Sequence, residues 1–492
     1  MNEYRLLIGG EDVDAASGET FDALDPTSGQ AWARHASASA TDVDRAVRAA
    51  RAAVEDERWA GLSATRRGRL MMRLADLIAE RAEEIAAVEV RDNGKLYKEM
   101  LAQLRVIPEW LYYYGGLADK VEGRVIPLDK TSVLNYTLRE PLGVVGIIVP
   151  WNSPVLLTMY ALGPALAAGN SIVVKPSEHA SASVLETLRL AADAGFPPGV
   201  LNVVTGAGEA GAALVDHPDV AKIAFTGSET TGKAIATRAG GRLAQVTMEL
   251  GGKSPNIVFA EASLDAAEAG LLAGIYGASG QSCVAGSRAL LQREIHDELL
   301  ERVERRAAGV VLGDPMADAT QMGPIANVPQ LERVEAMVGA AREEGARVVT
   351  GGERAAVEAF PDGLFYRPTI LDGVGNDATI AQDEVFGPVL TVIPFETEEE
   401  AVALANDTRF GLAAGVWTRD VKRAHRVARR LQAGTVWLNT YRAITFNSPF
   451  GGYKESGFGR VNGAEAIDGF LQTKSVWVEL SDDVQDPFVM KI

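Results

Sequence analysis

The sequence predicts an α/β fold in which two domains each wind helices around a mostly parallel sheet, with a small β extension added. Three observations lead there. Between Leu142 and Leu250 short apolar runs alternate with helical patterns, and such strands belong to sheets covered on both faces. A second alternating set follows Gly252. The chain has 492 residues, too many for one hydrophobic core.

The stretch from Tyr4 to His35 has apolar runs broken by Gly10, Gly18, Pro26 and Gly29, which predicts hairpins. Thr41-Asp42-Val43-Asp44 opens a helix with good capping residues. From Ser63 to Arg91, Leu70, Leu74, Leu77, Ile78, Ile85 and Val88 recur at helical spacing among Arg and Glu. A further helical stretch leads to Tyr112-Tyr113-Tyr114, an aromatic cluster that reads as packing. Gly123 to Arg139 reads as extended. Strands are then predicted from Leu142 to Val149, Ser171 to Val174, Val200 to Val204, Ala221 to Phe225 and Val246 to Leu250, with helices between them. The second set includes strands near Asn256-Ile257-Val258-Phe259, Ala289-Leu290-Leu291, Arg347-Val348-Val349, Val389 to Phe395 and Thr435 to Leu438. The tail Ser475 to Leu480 reads as a strand with nothing after it to pair, suited with the Gly123 to Arg139 stretch to extending another subunit's sheet. The expected divisions are 1–122 with 141–252, then 253–455, with 123–140 and 470–492 as oligomerisation strands.

An apolar fraction of 47%, a charged fraction of 23% and a net charge of -18 describe a globular chain with no basic face for nucleic acid. One cysteine excludes an internal disulfide framework and fits a reducing compartment. The charged N-terminus has no apolar signal core behind it, so a cytoplasmic location is expected. From Pro141 to Val174 no residue is charged, long enough to span a bilayer, but Pro141, Pro150, Pro154 and Pro164 break it into short buried elements. No membrane partner is expected.

The lone cysteine, Cys283, lies among small residues in Gly280-Gln281-Ser282-Cys283-Val284-Ala285-Gly286. By itself it reads either as a small buried hydrophobe or as a nucleophile, and a nucleophile needs a lowered pKa or a nearby base. Two glycine patterns compete for a nucleotide phosphate. Gly206-Ala207-Gly208-Glu209-Ala210-Gly211 matches the dinucleotide fingerprint literally, but no acidic residue ends a following strand at the expected distance. Phe225-Thr226-Gly227-Ser228 also joins a strand to a helix, whose free N–H groups can hold an anion. Lys175 and Glu178, past a strand end, suit a ribose diol or a surface ion pair. Asn152, in Pro150-Trp151-Asn152, can donate to a developing oxyanion or merely form a turn. Glu249 ends an apolar strand beside Gly251 and Gly252, as a general base or a strand-end charge. Glu384-Val385-Phe386-Gly387-Pro388 sets a carboxylate and an aromatic at a rigid turn. The five histidines are scattered, with no pair at a metal-ligand spacing, so no metal is expected.

In this order the motifs resemble the NAD(P)-dependent aldehyde dehydrogenase superfamily, of the non-phosphorylating, hydrolytic type. They are Pro150-Trp151-Asn152, Lys175-Pro176-Ser177-Glu178, Phe225-Thr226-Gly227-Ser228, Glu249-Leu250-Gly251-Gly252-Lys253, Gly280-Gln281-Ser282-Cys283, Glu384-Val385-Phe386-Gly387-Pro388 and Pro449-Phe450-Gly451-Gly452-Tyr453-Lys454. The resemblance covers nearly the whole chain. It implies a Rossmann-like cofactor domain, a second α/β catalytic domain and a small β oligomerisation extension in a homodimer or homotetramer. Cys283 would be the nucleophile, Asn152 and the Cys283 N–H the oxyanion hole, and Glu249 the base that activates water. Lys175 and Glu178 would hold the adenosine ribose, Trp151 and Ser228 the pyrophosphate, Glu384 the nicotinamide ribose and Phe386 the nicotinamide. Val149, Gly208, Phe225, Gly227 and Leu250 would complete the cofactor groove, with Gly208 near the adenine. Glu178 favours NAD over NADP, because a 2′-phosphate would meet a like charge, which Lys175 partly offsets.

The resemblance also aligns Val106, Trp110, Leu156, Tyr160, Ser282, Val284, Ile444 and Phe450 with the lining of an aldehyde tunnel, and places Arg442 near its mouth. Arg442 there would favour a small-molecule aldehyde with a distal carboxylate or other polar group. The alternatives are a coenzyme-A-acylating dehydrogenase, which a water-activating Glu249 argues against, a cysteine esterase without redox work, and a non-catalytic protein on this fold.

Overall fold

The computed structural model describes residues 1–482 and 488, so the end of the expected 470–492 segment, 483–487 and 489–492, lies outside the described residues. Its first sheet has eight strands, with a parallel centre. In space the parallel strands run Gln245–Glu249, Val220–Thr226, Val144–Val149, Ser171–Pro176 and Leu201–Val203. The chain starts in the middle at Val144–Val149, steps outward twice, then returns to fill the other side. The order therefore reverses between Val144–Val149 and Val220–Thr226, and such a reversal opens a crevice beyond the carboxyl ends of the strands. All six residues of Val144–Val149 are buried, as are those of Ser171–Pro176, because helices cover both faces. The uncharged stretch from Pro141 is thus a strand, the helix Pro154–Ala168 and a second strand. Among the described residues no helix is long and apolar enough to cross a membrane.

The edges of this sheet come from distant parts of the chain. Gly457–Phe458 pairs antiparallel beside Gln245–Glu249, opposing Gly457 to Glu249. At the other edge Leu6–Ile8 pairs with Leu201–Val203 and continues as a hairpin to Glu11–Val13. Thr20–Asp25 and Gln30–Ala36 form the second expected hairpin, but Asn2–Tyr4 joins it in parallel. The amphipathic pattern from Ser63 resolves into two helices, Ala64–Glu80 and Ala82–Asn93, broken at Arg81 where the backbone leaves helical geometry.

The second sheet has seven strands, ordered Arg347–Thr350, Thr369–Asp372, Val389–Phe395, Arg288–Gln292, Pro255–Val258, Ala413–Trp417 and Thr435–Leu438. Arg288–Gln292 and Val389–Phe395 are parallel neighbours. The loops entering them, which carry Cys283 and Glu384, must therefore lie side by side. A third sheet joins the two stretches that the sequence grouped in one role. The tail strand Leu471–Glu479 does have a partner in its own chain, pairing antiparallel with all nine residues of Val133–Pro141, which in turn pairs with Val125–Ile126. The partner lay more than three hundred residues upstream, beyond the reach of local pattern.

Candidate active site

The loop before Cys283 is held under strain. Ala278, Ser279 and Gly280 are three consecutive left-handed residues, with φ of 57°, 54° and 72°. Each non-glycine residue there costs about 1–2 kcal/mol, so the fold must over-determine the turn. It does so with hydrogen bonds. The Ser279 hydroxyl donates to the Gly323 carbonyl (2.9 Å), and Gln281 Oε1 accepts from the Ala326 N–H (2.9 Å). Gly280 fits because a Cβ would collide with the Gly387 carbonyl, on the turn that presents Glu384 and Phe386. A Cβ on Gly252 would come within 2.6 Å of the Cys283 carbonyl, so the glycines after Glu249 make room for this loop.

Cys283 stands where two cavities meet. One, of about 310 Å³, is lined by Trp151, Gly227, Ser228, Glu249, Leu250, Gly251, Glu384 and Phe386. The other, of about 270 Å³, is lined by Val106, Trp110, Leu156, Tyr160, Ser282, Val284, Arg442, Ile444 and Phe450, together with Lys95, Gln103 and Ser153. Asn152, Glu249 and Cys283 line both. Strand ends and the Cys283 loop thus bring three groups of different chemistry to one junction.

Asn152 is buried, and its Nδ2 donates one hydrogen to the Gln281 carbonyl (3.0 Å), which fixes the amide and leaves a second N–H. Glu249 is 5% exposed, and neither of its oxygens has a hydrogen-bond partner among the described residues. Burial holds its carboxyl well above the usual carboxylate range, with Arg460 opposing. It is no strand-end charge facing water. Gly451 clears its space, since a Cβ there would lie 2.8 Å from Glu249 Oε1. Burial also pushes the Cys283 thiol up to about 12, with Glu384 and Glu249 adding to the shift. The thiol is therefore protonated at neutral pH, and its chemistry depends on a proton acceptor within reach.

Beyond the first cavity a groove of about 460 Å³ follows the sheet's carboxyl edge at the order reversal. Val149, Trp151, Lys175, Glu178, Gly208, Phe225, Gly227 and Ser228 line it. Ser228 caps the helix Glu229–Gly241 and accepts from the Thr231 N–H, so the N-terminus of a thirteen-residue helix faces the groove. Lys175 and Glu178 lie 3.5 Å apart. Burial pushes the Glu178 carboxyl up, but Lys175 beside it leaves it below its ordinary value. The literal fingerprint begins the helix Gly208–Asp216 instead, on the Lys175 side of the groove. Glu384 accepts from the Gly252 N–H (3.0 Å), and burial raises its carboxyl to about 7. A Cβ on Gly251 would occupy the position of that carboxylate. Phe386 sits at φ 55° and meets Trp151 edge-on, 5.3 Å between centroids. Gln330 Nε2 holds the turn by donating to the Val385 and Phe386 carbonyls (2.8 and 3.0 Å). Among the described residues no group of three or more potential ligands could hold a metal ion.

The family model for the aldehyde dehydrogenase family matches residues 13–476. The chain belongs to the aldehyde dehydrogenase family. A (Z)-2-((N-methylformamido)methylene)-5-hydroxybutyrolactone dehydrogenase of Acinetobacter baylyi is 46% identical over 494 residues, covering 100% of each chain. The NAD+ complex of an aldehyde dehydrogenase from Bacillus cereus superposes with a TM-score of 0.95 at 44% identity, covering 98% of this chain and 97% of that one. A betaine aldehyde dehydrogenase from Staphylococcus aureus in complex with NAD+ reaches 0.97 at 37% identity, over 99% and 96%. The protein is an aldehyde dehydrogenase, and aldehyde oxidation is the reaction its site has to perform.

In this aldehyde dehydrogenase, sequence reasoning missed Lys95, Gln103 and Gln330. Lys95 follows the left-handed Gly94 that ends the helix Ala82–Asn93, and is buried to 4% exposure. In sequence, Asn93-Gly94-Lys95 reads as an ordinary polar turn, and no local signal separates a buried lysine from a solvated one. Gln103 lies on the helix Tyr97–Val106 among residues of mixed polarity, with no periodic signal of its own.

Proposed function

We propose that the enzyme oxidises its aldehyde with NAD through a covalent acyl-enzyme, using Cys283, Asn152 and Glu249. The observation that carries the reading is their convergence at one junction between two cavities. The Cys283 sulfur attacks the aldehyde carbon and its proton passes to a carboxylate, Glu249 being the candidate at the junction. The second Asn152 N–H and the Cys283 backbone N–H receive the oxyanion of the tetrahedral thiohemiacetal. The chemistry that NAD would supply when bound in the groove is that of a hydride acceptor for that carbon. Glu249 then releases the thiol proton to solvent, and the thioester left on sulfur is hydrolysed by water whose proton goes to the ionised Glu249, releasing the acid and the Cys283 sulfur, which is reprotonated. A carboxyl held above its usual range is a stronger base once ionised, which suits it to water.

The groove fits the cofactor chemically. The helix N-terminus at Ser228 suits a pyrophosphate, Glu178 with Lys175 a ribose diol, and Glu384 the second ribose. The aromatic pair Trp151 and Phe386 suits the nicotinamide end. The NAD+ complexes of two relatives support NAD over NADP, as does the carboxylate of Glu178. A coenzyme-A-acylating activity is disfavoured by Glu249, since water activation would waste the thioester. The eight-stranded sheet, the seven-stranded sheet and the third sheet support a division into cofactor domain, catalytic domain and oligomerisation strands. Val125, Leu134, Leu138 and Trp477 are exposed on that third sheet, which supports its use as a homodimer or homotetramer contact. Sedimentation of the purified enzyme tests the assembly. The catalytic reading is tested by NADH formation in Cys283→Ala, which must be lost with a panel of aldehydes, and retained activity there would refute it.

A further inference from the structure

The tunnel beside Cys283 is mostly apolar, with Trp110 stacked on Tyr160 (5.5 Å between centroids) and Leu156, Ile444 and Phe450 around them. Against this wall two cations are out of place. Lys95 is buried, and its ammonium donates to Ser153 Oγ (2.6 Å), which uses one of three donors. Arg442 donates Nη1 to the Ala273 carbonyl (3.1 Å). Among the described residues neither cation has a carboxylate oxygen within 4.0 Å. Glu99 acts on Lys95 at longer range, but its Oε1 accepts from the Ala278 N–H (3.2 Å). Glu89 also acts at longer range; burial holds its carboxyl above the usual carboxylate range and holds the Lys95 ammonium below the usual range of a lysine. Gln103 lines the same cavity, and its Oε1 is buried without a donor. Its amide can turn to present N–H₂ instead. A buried cation without a carboxylate in contact is costly, and the like charge of the half-exposed Arg442 on the same cavity adds to the cost.

We propose that Lys95 and Arg442, with the Gln103 amide, recognise a carboxylate carried by the aldehyde substrate. The substrate class is then a short aldehyde acid, its carbonyl at Cys283, its methylenes against the apolar wall and its carboxylate at the two cations. This rests on the reading of Cys283 as the nucleophile and adds the chemical class of what reaches it. A charge-assisted bond desolvated in a tunnel contributes roughly 1.5–3 kcal/mol, about a tenfold to a hundredfold preference.

The test compares kcat/KM for a four-carbon aldehyde acid and the neutral four-carbon aldehyde, in the wild type, Lys95→Met and Arg442→Gln. The wild type should favour the acid by about tenfold or more. That ratio should fall by about tenfold in at least one variant, the change appearing mainly in KM. Equal use of both aldehydes by the wild type overturns the proposal while leaving the Cys283 chemistry standing. Absence of NADH formation with either aldehyde, and with a wider panel, would instead remove the underlying reading. If Lys95→Met does not fold, the half-exposed Arg442 position decides alone, and an unchanged ratio in Arg442→Gln then overturns it.

Discussion

Replacing Glu249 by glutamine tests the step that releases the acid from Cys283. The side chains are isosteric, and neither carboxylate oxygen has a hydrogen-bond partner among the described residues, so no observed bond is lost. What disappears is a proton acceptor. A positioned general base contributes about 10²–10⁴ in rate, so the hydrolytic barrier should rise by roughly 3–5 kcal/mol. Because Glu249 is also the candidate acceptor for the thiol proton, acylation should slow as well, giving at most a burst of NADH of one per active site followed by slow turnover. Stopped-flow absorbance of NADH reads both phases. The pH dependence gives a second check. Burial raises the Glu249 carboxyl, so wild-type turnover should climb with pH well above the usual carboxylate range, and the variant should lack that limb. Stability moves the opposite way. A carboxyl raised on folding binds more protons in the native state, so its ionisation costs stability progressively as pH rises above the unfolded value of 4.5. Melting scans should show Glu249→Gln gaining on the wild type as pH is raised from about 4.5 toward neutrality. Steady turnover within threefold of wild type, roughly 0.7 kcal/mol, would refute the assignment.

Three further outcomes follow from the same geometry. Asn152→Ala should lose about 10²–10³ in kcat with little change in KM, measured by steady-state NADH formation, because it removes an oxyanion donor. The Cys283 thiol, pushed up to about 12 by burial, Glu384 and Glu249, should alkylate slowly at pH 8, and faster in Glu384→Gln, as followed by mass spectrometry with iodoacetamide. Glu178→Ser should raise kcat/KM for NADP relative to NAD by about tenfold, since a like charge no longer faces a 2′-phosphate while Lys175 remains; an unchanged ratio would remove Glu178 from the ribose site.

Much of this protein was legible in the linear chain because its signals are local. A strand buried on both faces is mostly uncharged, so Val144–Val149 and the Ser171–Val174 part of Ser171–Pro176, which ends on Lys175 and Pro176, announced themselves, and the αL glycines that stop helices announced the turns between. The chemistry-bearing residues sit at strand ends and glycine turns, where short motifs carry them. What tertiary structure alone decided was everything that depends on contacts across the chain. Leu471–Glu479 found Val133–Pro141, and Leu6–Ile8 found the edge of the first sheet, through backbone pairing that leaves no local trace. The environment of each ionisable group also came only from the fold. Motifs single out Glu249 and Cys283 in sequence, but nothing there shows how deeply they, or Lys95, are buried. Removal from water is what raises the first two and holds the third below the usual range of a lysine, beside the tunnel and without a carboxylate in contact, and burial is a property of the packed whole.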